Sequence, residues 1–557
     1  RLFKRWVRRP LTDIKKIKKR LMRVEEFYNN SEKLTSIREI LKDVYDINRI
    51  IARLSNFKAN PKDILNLSIS LSVMSDMKEQ LKSLPALFKL ISTSYDLTKM
   101  IDKIESIINN DLPANFKNGG VIKNGFSPQL DELRKISTEA NDMLVKIQIK
   151  EQKKTGIPSL KIGYNRVFGY YFEVTKVHLN KIPKHYIRKQ TLTNSERFFT
   201  SELKEYENKI LSASEGILEL EKEIFEELCF EILRKAKEIQ YNASLISTVD
   251  IASSLAFLAL QNDYSSPQIT NGCELILENA RHPVVETLLE VEKEFIPNEL
   301  SLDCKKNQIA IITGPNMAGK STYLRQTGII VLMAQIGSFV PASKAVIGVV
   351  DKLFTRVGAS DNLAAGESTF LVEMNETSNI LNNSTNRSLI ILDEIGRGTS
   401  TYDGLSIAWA VTEYIHNKKE ISAKTLFATH YHELVDLANE LPRAFNLNVA
   451  IKETGDKIIF LRKIVRGGSD KSYGVYVAEM AGLPKTVILR ARKILDRLSI
   501  DKISDNLPKP ELTINQIDLF NNNGIEIKNE LNKLNIDSMT PLDALKKLSE
   551  LKEKYDT

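Results

Sequence analysis

The sequence contains few cysteines and tryptophans, and it has no long apolar run. Three cysteines and two tryptophans occur in 557 residues. No stretch approaches the roughly 18 consecutive apolar residues that a membrane-spanning helix needs, so no membrane contact is expected. Cys229, Cys273 and Cys304 are far apart, without metal-ligand spacing and in odd number, which predicts buried thiols in a reducing compartment.

The chain also lacks a recognisable targeting segment, because residues 1–6 show no signal-peptide pattern. It does not begin with Met, and we expect it to be the C-terminal part of a longer protein. Its length predicts several domains. The net charge of +8 is compatible with a polyanionic partner, but an excess spread over the whole chain is a weak signal.

Apolar periodicity gives the first half of the chain a helical character. Residues 1–127 predict a helical core, and residues 128–158 predict one long helix. Residues 159–200 are aromatic and β-branched, which favours strands. A second long helix follows from Ser201 to about Gln240, within a segment, 201–265, that returns to the core. Its apolar residues step by three and four, as along a coiled-coil seam: Leu203, Tyr206, Ile210, Ala213, Ile217, Leu220 and Ile224.

The two long helices should pair antiparallel and hold a small β-rich tip away from the core. Residues 266–498 alternate strand-like and helical stretches, which indicates an α/β domain with a parallel sheet. Residues 499–530 predict a flexible polar linker, and residues 531–557 predict short terminal helices. The candidate central strands of the α/β domain are continuous apolar runs at residues 309–313, 389–392 and 425–428.

A phosphate-binding loop is predicted at residues 314–321. This stretch fits the pattern G-x-x-x-x-G-K-[ST] between a strand-like run and a helical run. Glycines let the backbone wrap a phosphate, and amides at the helix start supply positive charge. Lys320 would contact the β- and γ-phosphates, and the hydroxyl of Ser321 would bind Mg²⁺. The residues predicted to bind ATP here are Gly314, Pro315, Asn316, Met317, Ala318, Gly319, Lys320, Ser321 and Thr322.

Further polar groups that suit phosphoryl transfer follow two other apolar runs. Asp393 would hold Mg²⁺ through water, and Glu394 would activate the attacking water as general base. His430 would contact the γ-phosphate or the water, with His432 as a weaker candidate. Ser368 lies at a predicted helix start, where the spacing fits a plain N-cap and a phosphate contact equally well.

These pieces together resemble the MutS family of mismatch-repair ATPases, a branch of the ABC-type ATPases. The similar segments, in family order and over nearly the whole chain, are residues 118–122, 130–134, 186–194, 281–286, 295–298, 313–321, 368–374, 393–400 and 428–430. The resemblance implies a multidomain, α + α/β fold. Its parts would be a helical core, long coiled-coil levers, a small β clamp, an ABC-type P-loop ATPase domain and a C-terminal tail.

The resemblance also implies roles for single residues. ATPase domains of the family dimerise head to tail, so Ser368 would reach the partner's γ-phosphate in trans, and residues 396–401 would carry signals between the two sites. Phe295 and Ile296 match the segment that packs on adenine. Arg462 stands where relatives often place a histidine, which leaves the stacking partner of the base open. Residues 472–498 resemble a helix-turn-helix dimer contact, with plain core helices as the alternative.

The β-rich tip resembles the DNA clamp of the family. Between Lys181 and Arg197 five basic residues occur with one acidic residue, Glu196, so the tip can neutralise backbone phosphates without reading sequence. A solvated charged face is the alternative. The residues predicted to contact DNA are Lys184, Arg188, Lys189, Thr191, Thr193, Asn194 and Arg197.

The family's N-terminal mismatch-reading domain is not found in this sequence, so direct mismatch readout is not expected of it. Gln516, Leu519 and Phe520 resemble the short peptide that docks on the replication sliding clamp, and residues 537–552 resemble oligomerisation helices. The implied partners are double-stranded DNA (mismatched or looped for the full-length protein), a second copy, a tetramer through the tail, a MutL-type protein and the sliding clamp. The implied location is the bacterial cytoplasm, associated with the nucleoid.

The predicted function is DNA mismatch repair of the MutS type by a DNA-dependent ATPase that uses ATP and Mg²⁺. ATP binding and hydrolysis would move the levers and clamp on duplex DNA and recruit downstream repair factors. The alternative is a MutS-related protein that acts on branched DNA in recombination. An ATP-gated structural clamp resembling chromosome-organising proteins is disfavoured by the short seam. A non-catalytic DNA-binding module is disfavoured by the complete set Lys320, Ser321, Asp393, Glu394 and His430.

Overall fold

The computed structural model describes residues 1–113, 119–165, 167, 169–290, 294–315, 318–358, 369–454, 457–468, 473–501 and 546. Among them are helices, two mixed sheets and one antiparallel sheet. The chain divides into two units, residues 1–473 and residues 474–557, and each is described by itself.

Short helices at the start of the first unit form a helical core. Their amphipathic spacing turns apolar side chains such as Ile17, Phe27 and Leu67 inward, and all three are fully buried. Polar residues fix the helix starts; for example, Asn60 and Asp63 form a reciprocal capping box. The helices are α1 (Leu2–Arg8), α2 (Ile14–Tyr28), α3 (Ser31–Leu41), α4 (Ile47–Ser55), α5 (Pro61–Leu81), α6 (Pro85–Ile91) and α7 (Thr98–Ile107).

A long helical hairpin follows, made of α8 (Pro128–Thr155) and α9 (Ser201–Arg234). The two helices run antiparallel, because Lys150 pairs with Glu202 near one end and Arg134 pairs with Glu221 near the other. The predicted long helices are therefore present. Gly156, at φ +65°, ends α8 before Pro158. α9 ends at Arg234 rather than near Gln240, and the next helix starts at Ala236.

The hairpin carries a four-stranded antiparallel sheet, as the aromatic and β-branched segment predicts. The strands are β1 (Lys161–Asn165), β2 (Gly169–Thr175), β3 (Ile187–Thr191) and β4 (Ser195–Phe199), in the order β1-β2-β4-β3. A 3-10 helix, Lys176–Lys181, joins β2 to the segment before β3. Phe172, Tyr186 and Phe198 pack together beneath the sheet, so this tip has a small apolar core.

The helix that returns to the core is α10 (Ala236–Gln261), which packs on α2, α3 and α4. Among the described residues it is the one helix long and apolar enough to cross a membrane, yet 56% of its apolar stretch is buried inside the structure. A buried core helix passes the same test of length and composition.

A six-stranded sheet dominates the rest of the first unit, in the order β10-β11-β12-β8-β13-β14. Its strands from β10 to β13 are parallel, and β14 pairs antiparallel at the edge. The strands, together with β9 of the smaller sheet, which lies between them in the chain, are β8 (Ile309–Thr313), β9 (Lys344–Gly348), β10 (Leu353–Arg356), β11 (Leu389–Asp393), β12 (Lys424–Ala428), β13 (Ala444–Thr454) and β14 (Lys457–Arg466).

A second, four-stranded sheet has the order β5-β9-β6-β7 and includes β5 (Gln268–Thr270), β6 (Leu275–Ala280) and β7 (Asn298–Leu302). The helices of this region are α11 (Val285–Leu288), α12 (Lys320–Ile336), α13 (Thr369–Asn383), α14 (Thr401–Asn417) and α15 (Leu437–Glu440). The three predicted central strands correspond to β8, β11 and β12. Continuous apolar runs predict them well because both faces of these strands are buried.

Cys273 and Cys304 form a disulfide bond, so the prediction of three free thiols is wrong for this pair. Cys273 precedes β6 and Cys304 follows β7, and the antiparallel pairing of these strands brings the two residues together. Linear spacing does not reveal such a pairing. Cys229 is free and half-buried, and burial raises the pKa of its thiol to about 12.

The second unit is described over residues 474–501 and Lys546. Here α16 (Gly474–Met480) and α17 (Lys485–Asp501) pack on each other across a short turn. Several large apolar side chains of this pair are exposed, among them Met480, Leu483, Val487 and Leu489.

Candidate nucleotide site

The polar groups predicted for nucleotide chemistry lie at one edge of the six-stranded sheet. β8, β11 and β12 are neighbours and parallel, so their carboxyl ends meet. Asp393 lies beside Ala428, and Ala428 lies beside Ile312. The loop after Thr313, the acidic pair and the segment that holds His430 therefore converge, as their positions after three apolar runs predict.

The loop between β8 and α12 depends on glycine at two positions. Gly314 has φ +134° and Gly319, the residue before α12, has φ +104°, conformations that other residues rarely adopt. A Cβ at Gly314 would also lie 3.1 Å from Val449 Cγ2. The chain passes from Gly319 directly into α12, and the unpaired amides at the N-terminus of that helix favour an anion.

Lys320 is the first residue of α12, and only 4% of it is exposed. Its ammonium donates a hydrogen bond to the carbonyl oxygen of Gly314. Burial lowers the pKa of Lys320, while the nearby carboxylates of Glu394 and Asp393 act in the opposite direction. A buried ammonium between carboxylates and a glycine-rich loop can pair with a phosphate that enters the loop.

Asp393 ends β11 and shares a hydrogen bond with Ser321, the second residue of α12. Its Oδ1 atom is buried and has no hydrogen-bond partner. Burial raises the pKa of Asp393, and the bond from Ser321 opposes that rise. An orphaned carboxylate oxygen beside a hydroxyl is the donor set that Mg²⁺ prefers, so these two residues fit the predicted cation.

Glu394 has a strained backbone, with φ +57°, a conformation that costs a non-glycine residue roughly 1–3 kcal/mol. The turn is held on both sides. The Glu394 amide donates to Ala428 O at 2.9 Å, and the Tyr431 hydroxyl donates to Gly396 O at 3.0 Å. The carboxylate of Glu394 forms an ion pair with Arg397 at 2.6 Å.

His430 lies just beyond β12, with its ring 4.3 Å from the ring of Tyr431. Partial burial lowers the pKa of His430, whereas the neighbouring carboxylate of Glu394 works to raise it. The neutral imidazole is therefore favoured at neutral pH, and the carboxylate of Glu394 lies near enough to act on it electrostatically. His432 starts a 3-10 helix two residues later.

A cavity of about 230 Å³ opens beside the loop. Phe295, Ile296 and Arg462 line it together with Thr322 and Gln326 of α12. The structure thus brings the predicted base-packing residues next to the predicted phosphate loop. Arg462 shares the cavity, and its backbone has φ +54°.

Two features of the site were not predicted from the sequence. Both amide atoms of Gln326 are buried at the cavity and lack hydrogen-bond partners, and no motif marks this residue. Glu373 of α13 accepts a hydrogen bond from the Gly396 amide and pairs with the buried Arg356 of β10 at 3.3 Å. A buried ion pair between two residues 17 positions apart leaves no local signal in the sequence.

The tip presents most of its predicted DNA contacts to solvent. Lys184, Arg188, Thr191, Thr193 and Asn194 are exposed, and Lys189 is half-buried. Arg197 is half-buried. Its guanidinium lies 4.2 Å from the ring of Tyr171 and donates to Gln190 at 2.8 Å. Predicted residues that lie outside the described residues are Asn316, Met317, Ser368, Gln516, Leu519 and Phe520.

Together these features define a class: a chain in which a glycine-rich loop at the edge of a parallel sheet is joined to a helical core with a long, β-tipped hairpin. Two family models match it, MutS domain III at residues 1–256 and MutS domain V at residues 310–499. The chain belongs to the MutS family.

Curated relatives agree with this assignment. The chain is 48% identical to a protein of Caldicellulosiruptor bescii, 49% identical to one of Thermodesulfovibrio yellowstonii and 44% identical to one of Methanosarcina acetivorans. Each is named DNA mismatch repair protein MutS, and each match covers 99% of this chain. The chain spans about 65% of the length of these relatives.

Proposed function

We propose that this chain is the ATP-hydrolysing, DNA-binding part of a DNA mismatch repair protein of the MutS type. The observation that carries the proposal is the convergence of Lys320, Asp393, Glu394 and His430 around a glycine-rich loop at one sheet edge. Each of these side chains has a chemical role in phosphoryl transfer from a nucleoside triphosphate to water. The α/β part would then be an ABC-type P-loop ATPase domain.

The loop and α12 bind the triphosphate. Backbone amides at the start of α12 would donate hydrogen bonds to the phosphate oxygens, and the Lys320 ammonium would exchange its bond to Gly314 O for the β- and γ-phosphates. The cavity lined by Phe295, Ile296 and Arg462 would take the base. Its volume of about 230 Å³ is enough for a purine ring, and Arg462 would supply a planar guanidinium to stack on it.

Hydrolysis needs a base near the γ-phosphate. Glu394 would orient and deprotonate the attacking water once its ion pair with Arg397 at 2.6 Å opens. His430, with a lowered pKa, would donate a hydrogen bond to the γ-phosphate or the water. Ser321 and Asp393 would hold Mg²⁺, which when bound neutralises charge on the phosphates.

The hairpin and its tip suit a lever that ends in a DNA clamp. The exposed Lys184 and Arg188 and the hydroxyls of Thr191 and Thr193 would contact the sugar–phosphate backbone of duplex DNA. ATP and ADP states would favour different lever positions, because only a differential interaction with the two states can shift the clamp. The full-length protein would bind mismatched or looped DNA.

The remaining partners follow from the family. Head-to-tail dimerisation would bring Ser368 of one copy to the γ-phosphate of the other, and the exposed apolar side chains of α16 and α17 suit a dimer contact. The tail would add a tetramer contact and, through Gln516, Leu519 and Phe520, a sliding-clamp contact. A MutL-type protein would act downstream, in the bacterial cytoplasm at the nucleoid. Action on branched DNA in recombination stays the alternative.

Two substitutions test the ATPase proposal. Lys320→Ala should weaken nucleotide binding, because the loop loses its one buried cation, and Lys305→Ala is the matched control on an exposed lysine. Glu394→Ala should keep ATP binding but slow turnover about 10²–10⁴-fold, the usual contribution of a general base. The exposed Glu420→Ala is its control.

The measurement is ATP turnover and nucleotide affinity, with and without duplex DNA, at two salt concentrations. DNA stimulation that fades with salt supports phosphate contacts by the tip. Turnover of Glu394→Ala at the unsubstituted rate would remove Glu394 from the mechanism. Comparing mismatched, homoduplex and four-way DNA with the full-length protein separates repair from the recombination alternative.

A further inference from the structure

Positive charge in this chain is concentrated at its start rather than spread evenly. Residues 1–23 contain eleven lysines and arginines and one acidic residue, Asp13, a net charge of +10. Because the whole chain carries +8, the other residues together carry −2. The expectation of a dispersed basic excess is therefore wrong, and a count in a short window would have corrected it.

The basic residues lie on two helices, α1 and α2. On α2 the apolar Ile17, Leu21 and Val24 are buried against the core, so the helical period turns the lysines between them outward. Lys15, Lys16, Lys18 and Lys19 are all exposed. We name these four, with the exposed residues of the preceding segment, the α1–α2 face: Lys4, Arg5, Arg8, Arg9, Lys15, Lys16, Lys18 and Lys19.

Within the described part of the chain, no residue of the α1–α2 face forms an ion pair with a carboxylate. Lysines on the hairpin differ, since Lys204, Lys209 and Lys222 each pair with a glutamate one turn away on α9. Two acidic residues of this region are engaged elsewhere. Asp13 accepts from backbone amides at the start of α2, and Glu26 accepts from the amides of Ala86 and Leu87.

Like charges crowd one another at this face. Burial, and then the charges of the neighbouring Arg23 and Arg5, lower the pKa of Arg20 to about 10. Mutual repulsion between unpaired cations destabilises the folded state, and a polyanion laid along both helices would relieve it.

We propose that the α1–α2 face binds the sugar–phosphate backbone of duplex DNA and is a second DNA contact, separate from the tip. This inference rests on the proposed DNA-binding function. Exposed, flexible cationic side chains that form no ion pair with a carboxylate suit backbone phosphates, which need charge and little defined geometry. The net charge of +10 over residues 1–23 exceeds that of the tip, where residues 181–197 hold five basic residues and one acidic residue.

A duplex fits this face better than a lipid surface. A helix that lies in a membrane interface inserts its apolar side, but the apolar side of α2 is buried in the core, with Ile17 at 0% and Val24 at 1% exposure. Phe3 and Met22 are the large apolar side chains of α1 and α2 that remain exposed. Two isolated side chains give little apolar area for insertion.

The face is attached to the candidate nucleotide site through α12. Arg20 donates to Ile336 O at 3.0 Å, and Leu11 and Gln335 exchange two hydrogen bonds, so α2 and the segment between α1 and α2 hold the C-terminal end of α12. Lys320 begins the same helix, roughly 25 Å away for 17 residues. DNA on the face would therefore not touch the nucleotide.

The test compares two variants with the same change in net charge, from +8 to +4. One replaces Lys15, Lys16, Lys18 and Lys19 by Gln, which keeps helix propensity. The control replaces four exposed lysines of other core helices or their ends by Gln: Lys42, Lys62, Lys82 and Lys89. Circular dichroism and the unfolding midpoint establish that both fold. Fluorescence anisotropy then measures binding to a labelled, mismatch-free duplex between about 50 and 200 mM salt.

We expect the face variant to bind duplex at least about tenfold more weakly than the control, with a salt slope shallower by about 2–4, since each lost phosphate contact removes about 0.9. Equal affinity and slope in the two variants would overturn the inference. So would a loss confined to binding of anionic phosphatidylserine vesicles, which would make the face a membrane contact.

A third variant, Lys184, Arg188 and Lys189 to Gln at the tip, separates this inference from the proposed function. If the unsubstituted chain binds no duplex at any salt, both fail. If the tip variant loses DNA while the face variant behaves as the control does, the α1–α2 face alone is refuted. Weakened binding in both variants, with additive changes in slope, supports two independent contacts.

Discussion

At the scale of single residues, Glu221 shows how the base of the hairpin is fixed. Its carboxylate is fully buried on α9 and accepts hydrogen bonds from the amides of Gly120 and Val121, at 3.0 and 3.2 Å, and from Arg134 at 2.7 Å. These bonds join α8, α9 and the strand-like segment that pairs Ile122 with Ile108. One side chain therefore ties three elements together.

Glu221→Gln should open this junction. The substitution removes the charge that Arg134 faces and points an N–H₂ group at donors, and losing one partner of a buried pair costs about 3 kcal/mol. We expect the amides of Gly120 and Val121 to exchange with solvent about 100-fold faster in hydrogen-exchange mass spectrometry. Glu226→Gln, on an exposed carboxylate of the same helix, should leave that exchange unchanged. Unaltered protection in Glu221→Gln would mean that packing alone holds the segment.

In contrast to Glu221, which has several hydrogen-bond partners, Lys424 is a buried cation without one. It begins β12 and is 1% exposed. Burial, and then the charge of Arg387, lower the pKa of Lys424 to about 8. Between this pKa and the ordinary value of 10.5, the unfolded chain binds a proton that the folded chain does not, so stability rises with pH. Below pH 8 Lys424 is protonated in both states, and keeping its charge buried costs the folded state about 3 kcal/mol.

Lys424→Met should therefore stabilise the protein at pH 7, where it removes that cost. We expect calorimetry to show an unfolding midpoint roughly 3 °C above that of the exposed-site control, Lys419→Met. The difference between the two variants should shrink at pH 10, because the native amine is then neutral. A gain of the same size at both pH values would show that it comes from packing rather than from charge.

At the scale of elements, the turn after β11 and the start of α14 are in backbone contact. A Cβ on Gly404 would lie 2.2 Å from Gly396 O, and a Cβ on Gly396 would lie 2.6 Å from Gly404 O. Glycine at both positions lets α14 press against the turn that carries Glu394. The strained backbone conformation of Glu394 is thus stabilised by neighbouring residues and not by the intrinsic conformational preference of a glutamate.

Gly404→Ala tests this contact cleanly, because alanine favours a helix by about 1 kcal/mol over glycine. A loss of activity would therefore not come from a weaker α14. We expect turnover at saturating ATP to fall at least tenfold, with nucleotide affinity changed by less than about threefold, since Lys320 and its loop stay in place. Ser406→Ala, on the exposed side of α14, is the control. Normal turnover in Gly404→Ala would show that the turn tolerates displacement.

The sequence predicts best those elements whose signal is local. β8, β11 and β12 are continuous apolar runs, and the loop from Gly314 to Ser321 has its own pattern, so their positions were foreseen. The disulfide between Cys273 and Cys304, the pair of Glu373 with Arg356 and the orphaned amide of Gln326 were not. Each depends on strand pairing or burial that only the folded chain creates. The α1–α2 face, by contrast, could have been predicted from the sequence, because a count of charged residues in a short window reveals it.

At the scale of the first unit, apolar packing defines which parts can move together. One continuous cluster runs from Phe27 and Leu67 in the helical core to Ile312 and Leu389 in the six-stranded sheet. The other face of that sheet has its own cluster, which includes Ile309 and Ile390. The outer hairpin and the tip share a third cluster, from Ala140 to Ile210, that is separate from both. Core and sheet are therefore one packed body, while the tip is stabilised locally.

This partition predicts that the outer hairpin can be removed without unfolding the rest. Leu133 lies against Gly216, so residues 138–211 can be replaced by a short Gly-Ser linker that joins facing positions of α8 and α9. The excision takes the whole third cluster with it and leaves the inner hairpin, where Leu130 and Ile217 pack on the core. We expect ATP turnover without DNA to stay within about twofold, since the site lies in a separate cluster.

Stimulation of that turnover by duplex DNA should be lost, because the part of the molecule that would move the levers is gone. Weak, salt-sensitive duplex binding should remain through the α1–α2 face, and the Gln substitutions at Lys15, Lys16, Lys18 and Lys19 should abolish it in the excised chain. Turnover assays and anisotropy on the same preparations measure both. Undiminished DNA stimulation after the excision would mean that DNA acts on the ATPase without the tip, and the lever model would have to be abandoned.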